Sequence, residues 1–432
     1  MSTPLEDYAL IGDCETAALI SRSGSIDWLC WPRFDSGACF AALLGTPEHG
    51  RWLIEAIEPG ARISRAYRER TLVLETLVET STGAATVLEF MPPRGRNSDI
   101  VRLVRGERGC VRMRSELVLR FDYGRTIPWV TRLPDGAFCA IAGPDLVTLH
   151  TSVPLRGEGL TTFGEFAVPA GTTVSCVLTH GSSHLPPPAA IDPRESLEHT
   201  EAFWRDWAAQ SQSEGEWSDV VIRSLITLKA LTYAPTGGLV AAPTTSLPEQ
   251  IGGSRNWDYR FCWLRDATLT LLALMNAGYY GEARAWRDWL LRAAAGAPAQ
   301  LQIMYGLAGE RRLIEYEVPS LPGYESSPPV RIGNAAHGQL QLDVFGEVMD
   351  ALHQARRGGL QSRDEDWAFQ RVMLQHLQQI WAEPDEGLWE VRGPARHFTH
   401  SKVMAWVAFD RGIKAIETYG FEGPLDKWRE VR

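Results

Sequence analysis

The chain has 432 residues, of which 44% are hydrophobic and 22% charged, so it can bury substantial cores and has an ordinary globular composition. Its formal net charge of −10 argues against nucleic acid as the main partner, because a phosphate backbone requires a basic surface. No apolar run is long enough to span a bilayer, no signal-peptide pattern is present, and the seven cysteines contain no C-x-x-C pair. A cytoplasmic protein with free thiols and no membrane partner is therefore expected.

The first 190 residues predict an antiparallel β-sandwich domain. Short runs of alternating apolar and polar residues recur between Gly, Pro, Asn and Asp turns, a spacing typical of sandwiches. The opening segment, 8–45, contains two turn-forming stretches and the apolar run ACFAALLG. The predicted strands cover 51–57, 71–80, 84–91, 99–109, 111–121, 137–143, 145–152, 161–168 and 172–181.

The stretch SSHLPPPAAIDPRES at 182–196 is rich in proline and small residues and marks a boundary, so 191–215 is interpreted as a linker that carries a helix. Beyond this boundary the apolar residues recur with helical period. Paired helices separated by long loops predict an α/α toroid in 216–432. The predicted helices cover 196–211, 217–233, 265–277, 282–295, 337–356, 364–382 and 399–418, with another starting near 424.

The segment RNWDYRFCWLRDA at 255–267 combines aromatic rings, arginines and aspartates at high density. A carbohydrate site needs this mixture, because rings cover the apolar face of a pyranose and charged groups hold its hydroxyls. The alternative is a structural cluster of Arg–Asp ion pairs beside the start of a helix.

Two further loops, 315–347 and 384–402, also precede helices, and three such loops would gather at one end of a helical barrel. In GLWEVRG, Glu390 lies between Trp389 and Arg392. A ring beside a carboxyl group desolvates it and raises its pKa, which suits the general acid of a glycoside hydrolase. The alternative is a surface glutamate paired with Arg392.

A metal site is not expected. His397 and His400 have HxxH spacing, but neither H-E-x-x-H nor a third ligand pattern surrounds them. The sequence also contains no G-x-S-x-G elbow, Walker loop or dinucleotide fingerprint.

Four segments together resemble the bacterial branch of glycoside hydrolase family fifteen, which includes glucoamylases, glucodextranases and trehalases. They are IGDCETAALISRSGSIDWLCWPRFDSGACFAALLG, RNWDYRFCWLRDA, GYESSPPVRIGNAAHGQLQLDVFGE and GLWEVRGPARHFTHSK. The first is of the kind found in trehalase-like members. The resemblance implies an N-terminal β-sandwich, an (α/α)6 barrel, and inverting hydrolysis of a terminal α-glucosidic bond without an organic cofactor.

The resemblance also assigns site residues. Glu390 matches the general acid. Arg265 and Asp266 match the pair that holds the hydroxyls of the non-reducing glucose. Tyr259 and Trp263 match aromatic wall positions, and Arg331 and Asn334 match a loop that reaches the same subsite. Trp389 and Arg392, which flank Glu390 in the sequence, are also expected to contact substrate.

The sequence departs from the family in its second catalytic carboxylate. The family's general base lies far downstream, beside a G-N-F-P-Q-A-F-S-H type segment that does not occur here. The carboxylates near the motifs do not occupy the base position: they are Glu310, Glu315, Glu317 and Glu347. Roughly six or seven helices follow the linker by periodicity, about half of a complete toroid. The toroid is therefore expected to be incomplete and the general base absent.

The first functional hypothesis is a glucoamylase- or trehalase-type hydrolase acting on trehalose, maltose or maltodextrin. The alternative is a truncated or degenerate homologue that is inactive or only binds glucosides. An interaction module built on the sandwich is weaker, because it gives no reason for the composition of 255–267. A homo-oligomer remains open, as does the phosphate or magnesium dependence of some trehalase-like relatives.

Overall fold

The computed structural model describes residues 3–360 and 363–432. Fifteen strands form the N-terminal domain, and every pairing among them is antiparallel. The strands are Tyr8–Gly12 (β1), Ala17–Ser21 (β2), Ser25–Cys30 (β3), Ala38–Phe40 (β4), Arg51–Ala56 (β5), Arg62–Tyr67 (β6), Leu74–Glu79 (β7), Gly83–Phe90 (β8), Ser98–Val118 (β9), Trp129–Arg132 (β10), Phe138–Ala142 (β11), Asp145–Thr151 (β12), Leu155–Glu158 (β13), Thr161–Pro169 (β14) and Thr173–Ser182 (β15).

These strands form two layers that share β9. One layer has the order β6-β7-β8-β9-β15-β12-β11-β10, and the other has the order β1-β2-β3-β5-β9-β14-β13, with β4 on β3. The alternation of apolar residues places side chains such as Ile20, Trp52, Val104 and Leu178 in the core between the layers.

The prediction of two strands at 99–109 and 111–121 is wrong, because β9 is continuous. Its first half pairs with β8 and β15, and its second half pairs with β5 and β14. Two glycines allow the strand to pass between layers. A Cβ on Gly106 would lie 2.1 Å from the carbonyl oxygen of Pro169. Gly109 has φ +61°, and a Cβ there would lie 2.1 Å from the carbonyl oxygen of Thr82.

Eight α-helices follow in the described residues, and they are Pro193–Ala208 (α1), Ser218–Ala230 (α2), Leu264–Asn276 (α3), Tyr280–Ala294 (α4), Asp343–Arg357 (α5), Asp364–Ile380 (α6), Thr399–Tyr419 (α7) and Leu425–Val431 (α8). Helix α5 begins six residues later than predicted. Residues 335–338 form a separate 3-10 turn in which the Asn334 side chain accepts from the Ala336 N–H at 3.0 Å. This local cap competes with continuation of the helix.

Six short strands of two residues each order the long loops between the helices: Thr232–Tyr233 (β16), Gly238–Leu239 (β17), Cys262–Trp263 (β18), Met304–Tyr305 (β19), Tyr316–Glu317 (β20) and Arg331–Ile332 (β21). Pairing of β18 with β19 holds the chain immediately before α3. The predicted class, an antiparallel β-domain followed by a partial helical toroid, is confirmed.

The four strands β1–β4 in the opening segment were not predicted, and they support the loops of the helical domain. Trp28 of β3 donates from Nε1 to the carbonyl of Pro243 at 2.8 Å. Phe34 packs in the same core as Trp263 and Leu264. None of the helices within the described residues has the length and apolar composition that a bilayer crossing requires.

A buried ion pair joins the two domains at this contact. Asp258 and Arg260 are both fully buried, and their side chains make two hydrogen bonds, at 2.9 and 2.7 Å. Arg260 Nη1 also donates to the carbonyl of Ser36 in the β-domain at 2.9 Å, and Asp258 accepts from the Gly333 N–H at 3.1 Å. The pair thus fixes three segments that are distant in sequence.

Replacing Asp258 with asparagine leaves the Arg260 charge buried without its counter-ion. We expect Asp258→Asn to lower the free energy of unfolding by about 3–5 kcal/mol, measured by urea denaturation. The control is Arg255→Ala, which removes an exposed ion pair with Glu249 and changes stability by less than about 1 kcal/mol. Equal effects of the two substitutions would contradict this role of the pair.

Candidate active site

Glu390 lies beside the start of α3, where three predicted site residues meet it. Trp263 is the N-cap residue of α3, is 2% exposed, and donates from its indole Nε1 to Glu390 Oε1 at 2.6 Å. Arg265 Nη2 lies 3.9 Å from the same oxygen and 2.9 Å from Asp266 Oδ2. The structure therefore brings Trp263, Arg265, Asp266 and Glu390 together, although Glu390 is 127 positions from Trp263.

The backbone at Glu390 determines where its carboxyl group lies. Glu390 has φ +53°, a left-handed conformation that non-glycine residues seldom adopt. Two turn hydrogen bonds maintain it, from the Glu390 N–H to Gly387 at 3.1 Å and from the Val391 N–H to Glu386 at 3.2 Å. Unusual backbone of this kind concentrates at functional sites.

The expectation that Trp389 desolvates Glu390 is wrong. Trp389 is 83% exposed, and the ring that contacts the Glu390 carboxylate is Trp263. Neighbouring side chains in this turn point in different directions, so adjacency in sequence does not give contact. The alternative of a surface pair between Glu390 and Arg392 is also wrong, because Arg392 instead donates to Glu315 at 3.2 Å.

Burial raises the pKa of Glu390 above its ordinary value, and the negative charge of Asp266 adds to the effect. The Trp263 hydrogen bond and the positive charge of Arg265 act in the opposite direction. The balance favours the protonated carboxyl more than in water, which is the state that a general acid needs.

Arg265 links helix α3 to the loop that carries Glu390. Its Nη1 donates to the carbonyl of Leu388 at 2.8 Å, two residues before Glu390. Tyr259 and Trp263 form an aromatic wall beside it, with ring centroids 5.6 Å apart. Burial and the nearby carboxylates raise the pKa of Tyr259 to about 12, so this phenol is neutral and able to donate.

Arg331, Asn334 and Arg392 form a second group around Trp257. The guanidinium carbons of Arg331 and Arg392 each lie 4.6 Å from the centre of the Trp257 ring. Asn334 is 1% exposed and accepts from Arg392 at 3.3 Å. Because Asn334 also donates to the Asp258 carbonyl at 3.2 Å, this group is connected to the Glu390 group through the segment 257–263.

A cluster of buried carboxyl groups lies at the start of α5. Asp343 is fully buried, and neither of its carboxylate oxygens has a hydrogen-bond partner within the described residues. His400 Nε2 lies 3.6 Å from Asp343 and 3.9 Å from Glu347. Burial, followed by the charge of Asp343, raises the pKa of Glu347 to about 7, while Arg265 lowers it. The charge of Arg265 therefore acts on this cluster as well as on Glu390.

His400, which the sequence analysis excluded as a metal ligand, belongs to this cluster. Among residues 3–360 and 363–432, no group of three or more His, Cys, Asp or Glu side chains is arranged to hold a metal ion. The sequence analysis missed the roles of Trp257, Asp258 and Asp343. The density of rings and charges at 255–267 signals the first two, whereas Asp343 has no local signal.

Two family models match the chain. The model described as Glycosyl hydrolases family 15 matches residues 215–432, and the model described as Trehalase-like, N-terminal matches residues 1–145. A trehalase of Mycolicibacterium smegmatis is 34% identical, over 99% of this chain and 68% of that protein. A trehalase of Thermoplasma volcanium is 31% identical, over 99% and 69%.

A bacterial glucoamylase solved in complex with acarbose has the same fold. Its TM-score is 0.68 at 9% identity, covering 100% of this chain and 66% of that one. The fold and the sequence matches define a carbohydrate-hydrolase scaffold. The chain belongs to glycosyl hydrolases family 15, as the resemblance implied, and it spans about two thirds of the length of the curated relatives it matches.

Removing the indole donor of Trp263 takes away a hydrogen bond that favours the ionised form of Glu390. We expect Trp263→Phe to raise the pKa of Glu390 further, measured by carbon NMR titration of labelled glutamates with Glu390→Gln for assignment. Trp389→Phe is the matched control and leaves the pKa of Glu390 unchanged. An effect from Trp389→Phe alone would show that the exposed ring controls the carboxyl group.

The folded state favours protonated Glu347, so its ionisation destabilises the fold as pH rises from the ordinary pKa of 4.5 to about 7. Glu347→Gln removes this loss. We expect the variant to gain on the order of 2 kcal/mol relative to the parent between pH 5 and pH 8, measured by urea unfolding. Asp426→Asn, at a fully solvated position, gains nothing over the same range. A gain at pH 5 equal to that at pH 8 would contradict the assigned titration.

Proposed function

We propose that this chain is an inverting α-glucoside hydrolase whose substrate is trehalose and whose proton donor is Glu390. The observation that supports this most directly is the buried Glu390 carboxyl, held at 2.6 Å by the Trp263 indole beside Arg265 and Asp266. An acid in this position gives its proton to the glycosidic oxygen as the bond to the anomeric carbon breaks.

The residues around the acid match the needs of a glucose ring. The Asp266 side chain is half-exposed, although its Oδ2 is buried beside Arg265 and makes no hydrogen bond within the described residues. The exposed part of its carboxylate can therefore accept from sugar hydroxyls, while Arg265 donates to them. Tyr259, which is half-buried, covers the apolar face of the ring, while the buried Trp263 packs against Tyr259 and holds the Glu390 carboxyl.

Trehalose is favoured over maltose and maltodextrin by the relatives. The two trehalases described above align over 99% of this chain and are each more than 30% identical to it, whereas the glucoamylase is 9% identical. The N-terminal match to the trehalase-like family model supports the same substrate.

Binding without turnover is the second candidate. Inversion requires a second carboxylate that activates water on the face of the sugar opposite the acid. The carboxylates beside Glu390 have other partners: Asp266 contacts Arg265, and Glu315 accepts from Arg392. None of them is assigned the base role, and this favours a chain that holds the glucoside without cleaving it.

Calorimetry and glucose release, measured on the same chain, separate the two candidates. For the hydrolase, we expect trehalose to be cleaved in preference to maltose and Glu390→Gln to lower the rate at least about 100-fold while trehalose binding persists. Asp266→Asn should weaken binding itself, and Asp426→Asn serves as the control.

Trehalose binding with no glucose release supports the second candidate. Release that persists undiminished in Glu390→Gln would refute the assignment of the acid, and unchanged binding in Asp266→Asn would refute the proposed subsite. Inversion is checked by NMR, because the glucose formed by attack of water at the α-anomeric carbon is the β-anomer.

A further inference from the structure

The β-domain contains a pocket of about 400 Å³ that is separate from the Glu390 loop. It lies between the two layers at the end where β9 leaves the sandwich, and its walls include Leu119, Phe138, Ala140 and Leu149. This volume falls in the range of small-molecule pockets, and most such pockets have apolar walls with few polar groups.

The mouth of the pocket is also apolar. Four exposed apolar side chains line this mouth. Ile127 (53% exposed), Trp129 (76%) and Val130 (46%) lie before or within β10, and Leu160 (59%) precedes β14. Large apolar side chains that cluster at one opening, rather than scattering singly, indicate a surface that is covered by a ligand.

Arg120 is the only charged residue among the described residues that line this pocket. It is 7% exposed, and its Nη1 donates to the carbonyls of Leu119 at 2.7 Å and Leu160 at 3.2 Å. Burial lowers the pKa of Arg120. The negative charge of Glu48 raises this pKa, but Glu48 does not form an ion pair with Arg120. Nearly all buried arginines have a carboxylate partner, because an unpaired buried charge is unfavourable.

The Nε and Nη2 edge of Arg120 makes no hydrogen bond within the described part of the chain, while Nη1 fixes the guanidinium in place. Two parallel N–H groups on such an edge match the two oxygens of a carboxylate. Apart from Thr161 and Thr162, the side chains that line the rest of the pocket are apolar and can enclose a hydrocarbon body.

We propose that this pocket binds a small amphiphilic monocarboxylate, with its carboxylate on Arg120 and its aliphatic or aromatic body between the two layers. The carboxylate supplies the counter-ion that Arg120 lacks, and the body covers Leu119, Phe138 and Leu149. The proposal is independent of glucoside hydrolysis, because none of these residues contacts the Glu390 group.

Decanoate, decanol and decyltrimethylammonium provide a test, since they share one tail and differ in head-group charge. Isothermal titration of the whole chain below the micelle concentrations should show decanoate binding at least about tenfold tighter than decanol, with the cation weakest. Arg120→Met should reduce decanoate to the affinity of decanol, Arg120→Lys should keep part of the preference, and Ala140→Phe should weaken both by filling the pocket.

Arg156→Met, which removes an exposed charge from the neighbouring strand β13, is the matched control and should change none of the affinities. The comparison of the three ligands on the unsubstituted chain tests the proposal even if a variant fails to fold. Absence of saturable decanoate binding, or equal affinities for decanoate and decanol, would overturn the proposal.

Discussion

The buried pair of Asp258 and Arg260 is the interaction on which the arrangement of the helical domain depends. Its arginine reaches the carbonyl of Ser36 in the β-domain, and its aspartate holds the backbone at Gly333. A charge pair buried this completely tolerates little displacement, because each group would then lack its hydrogen bonds in a medium of low dielectric constant. The segment between these residues and α3 is therefore held in one geometry, and Tyr259 and Trp263 lie within it.

Charge interactions connect this scaffold to Glu390. Arg265 is surrounded by carboxyl groups, with Asp266 and Glu390 nearby and the charges of Asp343 and Glu347 acting from α5. One guanidinium does not fully compensate the charges of these carboxyl groups. The raised pKa values of Glu390 and Glu347 share this cause with burial itself. Substitutions of the α5 carboxylates are thus expected to change the pKa of Glu390 through Arg265.

The β-domain contributes a contact with the helical domain and contains a pocket of its own. Its opening strands support the site loops, through Trp28 and the carbonyl of Ser36, so the sandwich is part of the scaffold of the site. The two layers also leave a pocket around Arg120, a buried arginine that forms no ion pair within the described residues. These features are structurally separate, since one is a domain contact and the other an opening within the sandwich.

The sequence by itself determined the two-domain class, most helices and strands, and the family, because periodicity, turn residues and long motifs are local properties. The resemblance also predicted Trp263, Arg265, Asp266 and Glu390 as site residues, and the structure brings these four side chains together. Only the tertiary structure decided that Trp263 and not Trp389 contacts Glu390, that Arg392 binds Glu315, and that Asp343 and His400 lie together. Each of these depends on backbone direction and on contacts between distant segments. A left-handed residue such as Glu390 or a layer-crossing strand such as β9 sets those directions without a local signal in the sequence.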